Sequence, residues 1–461
     1  PDLCEGGVMA GKVLIIGAGL TGLSTAFHLE KMGKVDYSVY EKEERVGGLC
    51  RSVHLRNPKY AESFTFDILG HLLHVKEDYT KVLVRSLLKR SLRRHKRDSW
   101  IYSKGIYTRY PFQANTHGLP PKVVKECVFG FIDAKSHLVH STRALSEGSF
   151  SDWILQNFGQ GIAKHFMIPY NTKMWTVHPR ELTCEWLKLN PKYVPSPTIP
   201  EVVMGALADQ KKGFGYNVYF YYPRRGGIQK LPDALGENIR NLNLNTTLSR
   251  VNVGKKVAYF NGGRIEAEFQ FMVSTVPLPE LILGIIEDVP EDVRKAALKL
   301  RHNSVLNLNL GIKRENIDHG HWVYFPESKY VFYRVGFPKK FSDNMCPPGT
   351  SSLYVEIACR PGEIDRDREK RLKARAIGDL VKIGIMKRND EILVSKFITI
   401  PYAYVIYDRD RDANLEIIQN YLKGRDIYSV GRYGGWKYST MEEAILEGKE
   451  VAERLVRFPG G

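Results

Sequence analysis

The segment that most constrains this chain is Gly17-Ala18-Gly19-Leu20-Thr21-Gly22, a G-x-G-x-x-G run near its beginning. Val13-Leu14-Ile15-Ile16 leads into it as a buried strand, and Leu23 to Met32 follows as a helix ended by Gly33. Tyr37-Ser38-Val39-Tyr40 then reads as a second strand, with Glu41 at its carboxyl end. In a βαβ unit of this kind the glycines permit a tight turn and close backbone approach. The helix N-terminus offers amide donors to a pyrophosphate, and the acid meets a ribose hydroxyl. Gly17, Gly19, Gly22 and Glu41 are therefore expected around a dinucleotide. The glycine run alone is a weak signal; the strand-turn-helix context gives it weight.

A second glycine loop follows at once, Glu44-Arg45-Val46-Gly47-Gly48-Leu49-Cys50-Arg51-Ser52. Gly47, Gly48 and Arg51 add backbone donors and a cation. Near the other end, Gly431-Arg432-Tyr433-Gly434-Gly435-Trp436-Lys437-Tyr438 offers a third approach. Thr440 and Glu443 form a T-x-x-E capping box, so a helix from Met441 begins just past this loop. FAD is larger than NAD, and its pyrophosphate and ribityl chain need more donors than one turn provides. Three such loops in this order favour FAD.

The 461 residues allow about three domain-sized units by the length prior. With 43% hydrophobic and 26% charged residues the composition is that of a globular protein. No apolar run approaches the roughly 18 residues of a membrane span, and no signal-peptide pattern opens the chain. Pro1 to Ala10 reads as a disordered leader. The six cysteines (Cys4, Cys50, Cys127, Cys184, Cys346, Cys359) form no C-x-x-C pair and no metal-ligand spacing. Reduced thiols, a cytoplasmic location and no metal site are expected. The net charge of +17 suits an anionic ligand, or attraction to nucleic acid or acidic lipid. The densest run, Arg85 to Arg97, carries Leu87, Leu88 and Leu92 at helix-like spacing and reads as a helix with a solvated cationic face. Contact with a membrane surface or a polyanion is the alternative reading. No signature of specific nucleic-acid recognition is present. Nor is there a G-x-S-x-G, H-E-x-x-H or paired-carboxylate motif, so hydrolase and metalloenzyme readings lack support.

The expected fold class is α/β. A discontinuous Rossmann-like FAD-binding domain is drawn from 9–75, 215–285 and 425–461. A helical insertion, 76–214, and an antiparallel β-sheet domain, 286–424, form the substrate side. Periodic segments such as Lys122 to Ile132 and Ser151 to Phe166 support the insertion. Short strand-like runs from Ser304 to Tyr407, interrupted by a helix around Asp367 to Ile385, support the sheet.

Within Phe66-Asp67-Ile68-Leu69-Gly70-His71, the histidine reads either as a neighbour of a flavin ring or as a satisfied structural side chain. The middle of the chain is rich in aromatics and cations: Tyr110-Pro111-Phe112-Gln113, Trp153, Pro169 to Trp175, Tyr324 and Tyr333-Arg334. Aromatic faces stack on bases and sugars, while Arg and Lys neutralise phosphates. As a set they describe a pocket for a nucleotide-like anion.

These segments carry a resemblance. YPFQ (Tyr110 to Gln113), F-x-x-W (Phe150 to Trp153), PYN-x-K-x-W (Pro169 to Trp175), C-x-W (Cys184 to Trp186), W-x-YFPE (Trp322 to Glu327), FYR (Phe332 to Arg334) and GRYGGWKY (Gly431 to Tyr438) occur in that order. From Lys12 to Leu455 the chain resembles the UDP-galactopyranose mutase family, its fungal-type branch in particular, within the flavin amine-oxidase-like superfamily. The resemblance implies FAD, active when reduced, with flavin N5 as nucleophile at the anomeric carbon of a UDP-sugar whose pyranose and furanose forms interconvert. It implies FAD contacts at the three glycine loops, Glu41, Arg97 and the backbone of Val251, with His71 beside the isoalloxazine. Gln113 and Trp153 would lie near the uridine. Tyr324, Arg334, Tyr402 and Tyr438 would line the diphosphate and sugar, and Tyr170, Asn171 and Lys173 would complete the substrate site. Three residues depart from the pattern: Ile168 stands where a diphosphate arginine is expected, Leu69 replaces a glycine, and Phe341 replaces a tyrosine. Lys173 or Lys339 would be the compensating cation. The partner expected is a UDP-sugar or a similar anionic small molecule, with oligomerisation and peripheral membrane contact open. A FAD-dependent oxidoreductase of the amine oxidase, protoporphyrinogen oxidase or desaturase type is the alternative, and a non-catalytic flavoprotein the third.

Overall fold

Val13 to Ile16 are at most 4% exposed, which requires cover on both faces of the strand that carries them. That strand, Ala10–Ile16, is the centre of a five-stranded parallel sheet in a computed structural model that describes residues 10–33, 35–138, 148–189, 193–215, 218–317 and 319–457. The leader expected at Pro1 to Ala10 lies, through residue 9, outside the described residues. The strand order is Ile427–Ser429, Phe271–Ser274, Ala10–Ile16, Val35–Tyr40, Leu242–Asn243. Parallel neighbours need crossovers, and helix Leu20–Met32 makes the first. It stops at Gly33, whose left-handed φ of 64° lets its N–H reach the Leu29 carbonyl at 3.0 Å.

The last helix, Met441–Arg457, lies against the first. A Cβ on Gly448 would sit 2.5 Å from the Thr21 carbonyl oxygen, so only glycine allows this approach. The Ser24 hydroxyl donates to the Ile445 carbonyl at 2.6 Å across the same interface. The expected capping box is formed: Thr440 N–H donates to the Glu443 carboxylate at 2.7 Å, and Glu443 N–H to Thr440 Oγ1 at 3.3 Å.

A seven-stranded sheet builds the second layer, ordered Ile392–Ile400, Ser304–Ile312, Ser351–Cys359, Arg334–Gly336, Trp322–Tyr324, Ser99–Ser103, Ile106–Arg109. Its central strands, Ser304–Ile312 and Ser351–Cys359, pair antiparallel along their whole length. Helix Arg366–Lys382 covers them with Ala376 and Leu380. One expectation is corrected here: the stretch 76–214 is not wholly helical, because Ser99–Ser103 and Ile106–Arg109 extend the sheet, the first of them parallel to Trp322–Tyr324, while the strands within 286–424 pair antiparallel with one another. Strands this short bury little alone and exist because a distant edge pairs with them.

The basic run is also split. Helix Asp78–Leu88 ends where Lys89 turns to φ 47°, and Leu92–Lys96 becomes a strand paired antiparallel with Tyr219–Pro223. Leu92 therefore does not continue the helical stripe of Leu87 and Leu88. A ladder to a remote segment overrides the local period. Among the described residues, no helix is long and apolar enough to cross a membrane.

The helical layer includes Pro121–Leu138, Phe150–Ile162, Ile168–Trp175 and Ile199–Leu207. Lys173 pins it to the sheet. Its Nζ donates to the carbonyls of Phe325 and Glu327 at 3.0 and 2.9 Å, and burial pushes its pKa down to about 7. The unfolded lysine titrates at about 10.4, so between the two values the unfolded chain binds more protons and stability rises with pH. Unfolding midpoints measured from pH 7 to 10 should therefore climb less in Lys173→Met than in the parent chain. Parallel curves would show that Lys173 does not titrate abnormally.

Candidate active site

The N-terminus of helix Leu20–Met32 is where the three glycine loops converge. Its cap is Gly19, which carries no side chain to accept the helix's first N–H groups, and the first turn holds no acid. Those donors are left to a ligand anion. Gly22 is required, since a Cβ there would lie 2.0 Å from the Gly17 carbonyl oxygen. The second loop joins when Gly47 N–H donates to the Ala18 carbonyl at 2.7 Å. The third arrives with Gly431 against Thr21, an ideal Cβ on Gly431 lying 3.0 Å from Thr21 Oγ1. Glu41 is buried beside them and accepts Ala18 N–H at 2.7 Å and Glu43 N–H at 3.0 Å, which leaves lone pairs for a ribose diol.

Two arginines serve this cradle. Arg51 folds back to donate from Nε to the Gly48 carbonyl at 2.9 Å, with Glu43 at 3.4 Å from Nη1. Arg432 donates to the carbonyls of Ser439 and Ala403, while its Nε is buried with no partner among the described residues. Among the described residues it has no carboxylate partner, and tyrosine rings of Tyr438, Tyr404 and Tyr433 surround it. A buried cation of this kind suits an anionic group. Val251 is different. It is fully buried in the small antiparallel sheet Leu248–Asn252, Val257–Phe260, Ile265–Glu268, and its carbonyl accepts Glu287 N–H at 3.0 Å.

The seven-stranded sheet contributes a cross-strand pair. Arg334 lies directly opposite Glu356 and donates to it from Nε at 2.9 Å and from Nη2 at 2.8 Å. Glu356 is fully buried. Burial disfavours the charge on Arg334, but Glu356 together with Tyr404, Tyr333 and Tyr354 outweighs it and holds the guanidinium pKa well above its ordinary value. The Gly70 amide points at the same carboxylate, at 3.4 Å, which ties the loop carrying His71 to this pair. Burial lowers the His71 pKa to about 4, a hydrogen bond to the Leu69 backbone opposes the shift, and the charges of Arg334 and Arg432 add to it. His71 is therefore neutral near pH 7. Among the described residues, its Nδ1 and the Tyr354 hydroxyl are buried without partners, and both residues line a cavity of about 10 Å³ together with Asp67, Leu69 and Phe341. That volume is about one water molecule.

Arg97 belongs with these residues. Its Nη2 donates to the Tyr324 hydroxyl at 2.6 Å, which also accepts Trp322 Nε1–H at 2.8 Å. The Arg97 guanidinium lies 3.9 Å from the Tyr110 ring centre and 5.4 Å from that of Trp322, whose ring is also 4.9 Å from Arg334. Tyr170 meets Tyr324 edge-on at 5.4 Å. Tyr438 packs over Arg432 at 4.9 Å, and Tyr402 sits between His302 and Trp436.

Other expected residues face elsewhere. The Gln113 amide donates to the Pro195 carbonyl at 2.7 Å, and Trp153 stacks on Phe150 within the helical layer. Asn171 is used inside its own helix, donating to Met167 and accepting from Trp175. Lys173 serves two carbonyls and Lys339 serves Glu315 and the Thr350 carbonyl, so neither ammonium stands in for the arginine absent at Ile168. Ile168 itself packs partly buried against the core. Glu356 and Asp67 were not anticipated. Glu356 was findable as the lone charge in the otherwise uncharged run Ser351–Cys359, since a buried strand carries an acid only against a partner. Asp67 accepts hydrogen bonds from Ser52, Tyr222 and the Ile228 amide, yet burial lifts its pKa to about 6.

Comparison with known proteins places this geometry. The family profile of flavin containing amine oxidoreductases matches residues 20–456. A crystal structure of reduced UDP-galactopyranose mutase superposes with a TM-score of 0.87 at 26% identity, covering 98% of this chain and 96% of that one. A protein from Exiguobacterium sp. 255-15 assigned as a protoporphyrinogen oxidase superposes at 0.72 with 15% identity, covering 98% and 100%. Putrescine oxidase bound to putrescine gives 0.63 at 18%, covering 97% and 99%; these two show the shared fold alone. A curated protein from the nifH2 3' region of Methanothermococcus thermolithotrophicus, described as uncharacterized, is 39% identical over 67 residues, which is 14% of this chain and 58% of that protein. The uncapped helix, the glycine approaches and the unpaired Arg432 fit FAD, and the chain belongs to the flavin containing amine oxidoreductase family, with FAD as its cofactor.

Proposed function

We propose that this chain is a FAD-dependent sugar-nucleotide mutase that interconverts the pyranose and furanose forms of a UDP-sugar. The observation that carries the reading is the joining of Arg334, Glu356, Gly70 and His71 into one buried unit beside Arg97 and Tyr324. Such a unit, with Arg97 beside it, offers guanidinium donors to an anion, and it offers no strong acid–base pair: His71 is neutral and both Glu356 oxygens are engaged by Arg334. The likeness to reduced UDP-galactopyranose mutase supports the same reading. When bound and reduced, FAD supplies the nucleophile for the anomeric carbon. The chain's own part is to place the sugar over it. Arg97 and Arg334 hold the diphosphate, with Tyr324, Tyr402 and Tyr438 along the diphosphate and sugar. Tyr170 shapes the pocket from the helical layer. Neutral His71 keeps a second positive charge away from the flavin ring.

One observation favours the alternative, an oxidoreductase of the amine oxidase type. Glu356 already compensates Arg334 and residue 168 is isoleucine, so less positive charge is left for a diphosphate. Dithionite-reduced protein incubated anaerobically with UDP-galactofuranose separates the two readings. UDP-galactopyranose should form without oxygen consumption; no conversion together with no UDP binding in titration would sink the mutase reading.

Arg334 can be tested without confusing binding with folding. Arg334→Met strands a buried carboxylate and should lower stability by about 3–5 kcal/mol, and adding Glu356→Gln should restore much of it. In both variants UDP affinity should remain weaker by about 2 kcal/mol, the worth of a charge-assisted contact. Parental UDP affinity in the double variant would remove Arg334 from the site.

A further inference from the structure

The cations of the run Arg85 to Lys96 take no part in the site described above, yet the fold gathers them on one surface. In the ribbon formed by Leu92–Lys96 and Tyr219–Pro223, Arg94 lies opposite Tyr221 and Lys96 opposite Tyr219. The alternate residues His95, Phe220 and Tyr222 point inward, at most 9% exposed. Arg94, Lys96, Tyr219 and Tyr221 therefore share the outer face. The Arg94 guanidinium lies 3.9 Å from the Tyr219 ring centre, with Tyr219 46% exposed. Helix Asp78–Leu88 is continuous with this face, because Arg85 Nη2 donates to the Tyr221 hydroxyl at 3.3 Å. Arg224 N–H donates to the Ser91 carbonyl at 2.7 Å, which brings Arg224 and Arg225 beside Arg90.

We propose that this face docks on a bilayer carrying anionic headgroups. Among the described residues, Arg85, Arg90, Arg94 and Lys96 have no carboxylate within ion-pair distance, whereas neighbouring Arg93 lies 3.9 Å from Asp343. The cations are not alone. Val82, 69% exposed, stands one turn before Arg85 and Ser86 on the same helix, and the Tyr219 ring is exposed on the adjoining ribbon. Exposed aromatic and aliphatic groups among unpaired cations suit a headgroup layer, where rings and short side chains enter the interface while guanidinium groups meet phosphates. A nucleic-acid backbone would use the cations and leave Val82 in water. The surface is also rigidly built: Tyr221 N–H donates to the Leu73 carbonyl at 2.8 Å, two residues from His71, and the strand of Arg94 runs straight into Arg97. Docking there sets the edge of the candidate site beside the bilayer.

Cosedimentation of the FAD-loaded full chain with phosphatidylcholine vesicles, with and without phosphatidylserine, tests the proposal. The chain should sediment with the anionic vesicles, stay in solution with the neutral ones, and be released by salt. Reversing four charges, Arg85→Glu, Arg90→Glu, Arg94→Glu and Lys96→Glu, should weaken vesicle partitioning by at least on the order of a hundredfold, given the contribution of each cation near an anionic surface. The control variant Arg294→Glu, Lys299→Glu, Lys370→Glu and Arg388→Glu changes net charge equally elsewhere and should keep parental partitioning. Retained flavin absorbance establishes that both variants are folded. The proposal is overturned by absence of sedimentation with anionic vesicles, by equal loss in both variants, or by duplex DNA displacing the chain from vesicles at lower phosphate concentration.

Discussion

The structure depends on what happens at the start of helix Leu20–Met32. Its first amides have no side chain to cap them, because Gly19 occupies the capping position and Gly22 cannot carry a Cβ. Such an end is tolerable only if an anion arrives, and close approach then demands glycine in every loop that comes near. The loop at Gly47 and the loop at Gly431 meet that demand from either end of the chain. Once Gly431 is held beside Thr21, helix Met441–Arg457 has to pass along the first helix, which explains the bare backbone at Gly448. The parallel sheet follows from the same closure, since Ile427–Ser429 must reach it before the third loop begins.

The seven-stranded sheet rests on a different kind of interaction. A buried carboxylate and a buried guanidinium are each expensive alone, and together they are tolerated because the pairing is bidentate. Arg334 and Glu356 meet this condition by facing one another across adjacent strands. The Gly70 amide, turned to the same carboxylate, couples this pair to the histidine loop. A change in the charge near Arg334 is therefore felt at His71, whose neutrality already depends on burial and on two nearby arginines. On the far side, Arg97 joins Tyr324 and Tyr110, so residues from the helical insertion and from the sheet share one wall.

Much of the frame was legible beforehand because its signals are local. Gly33 ends its helix through one residue's left-handed backbone, and Thr440 with Glu443 caps another within a single turn. The glycine loops could be recognised because their steric need is met by one residue type. The misreadings share a cause. Leu87, Leu88 and Leu92 have a helical period, but a strand from Tyr219 pulls Leu92 to Lys96 into a ladder. Ser99 to Ile101 carry no sign that they will border Trp322 to Tyr324. Lys173 looks like a cation for a ligand, and only its distance to two carbonyls on another element shows otherwise.

The sequence by itself determined that a dinucleotide of FAD's size is held by both ends of the chain, because backbone approach and helix capping are written in short runs of residues. It also marked the aromatic and cationic segments from which a nucleotide-like pocket could be made. Only the tertiary structure decided how those segments are used: which arginine is paired, that Glu356 is its partner, that Arg97 belongs with Tyr324, and that the cations before it form an outward face. These are matters of register and of distance between remote segments. A one-residue change in strand register would turn Glu356 away from Arg334 while leaving the local sequence pattern unaltered.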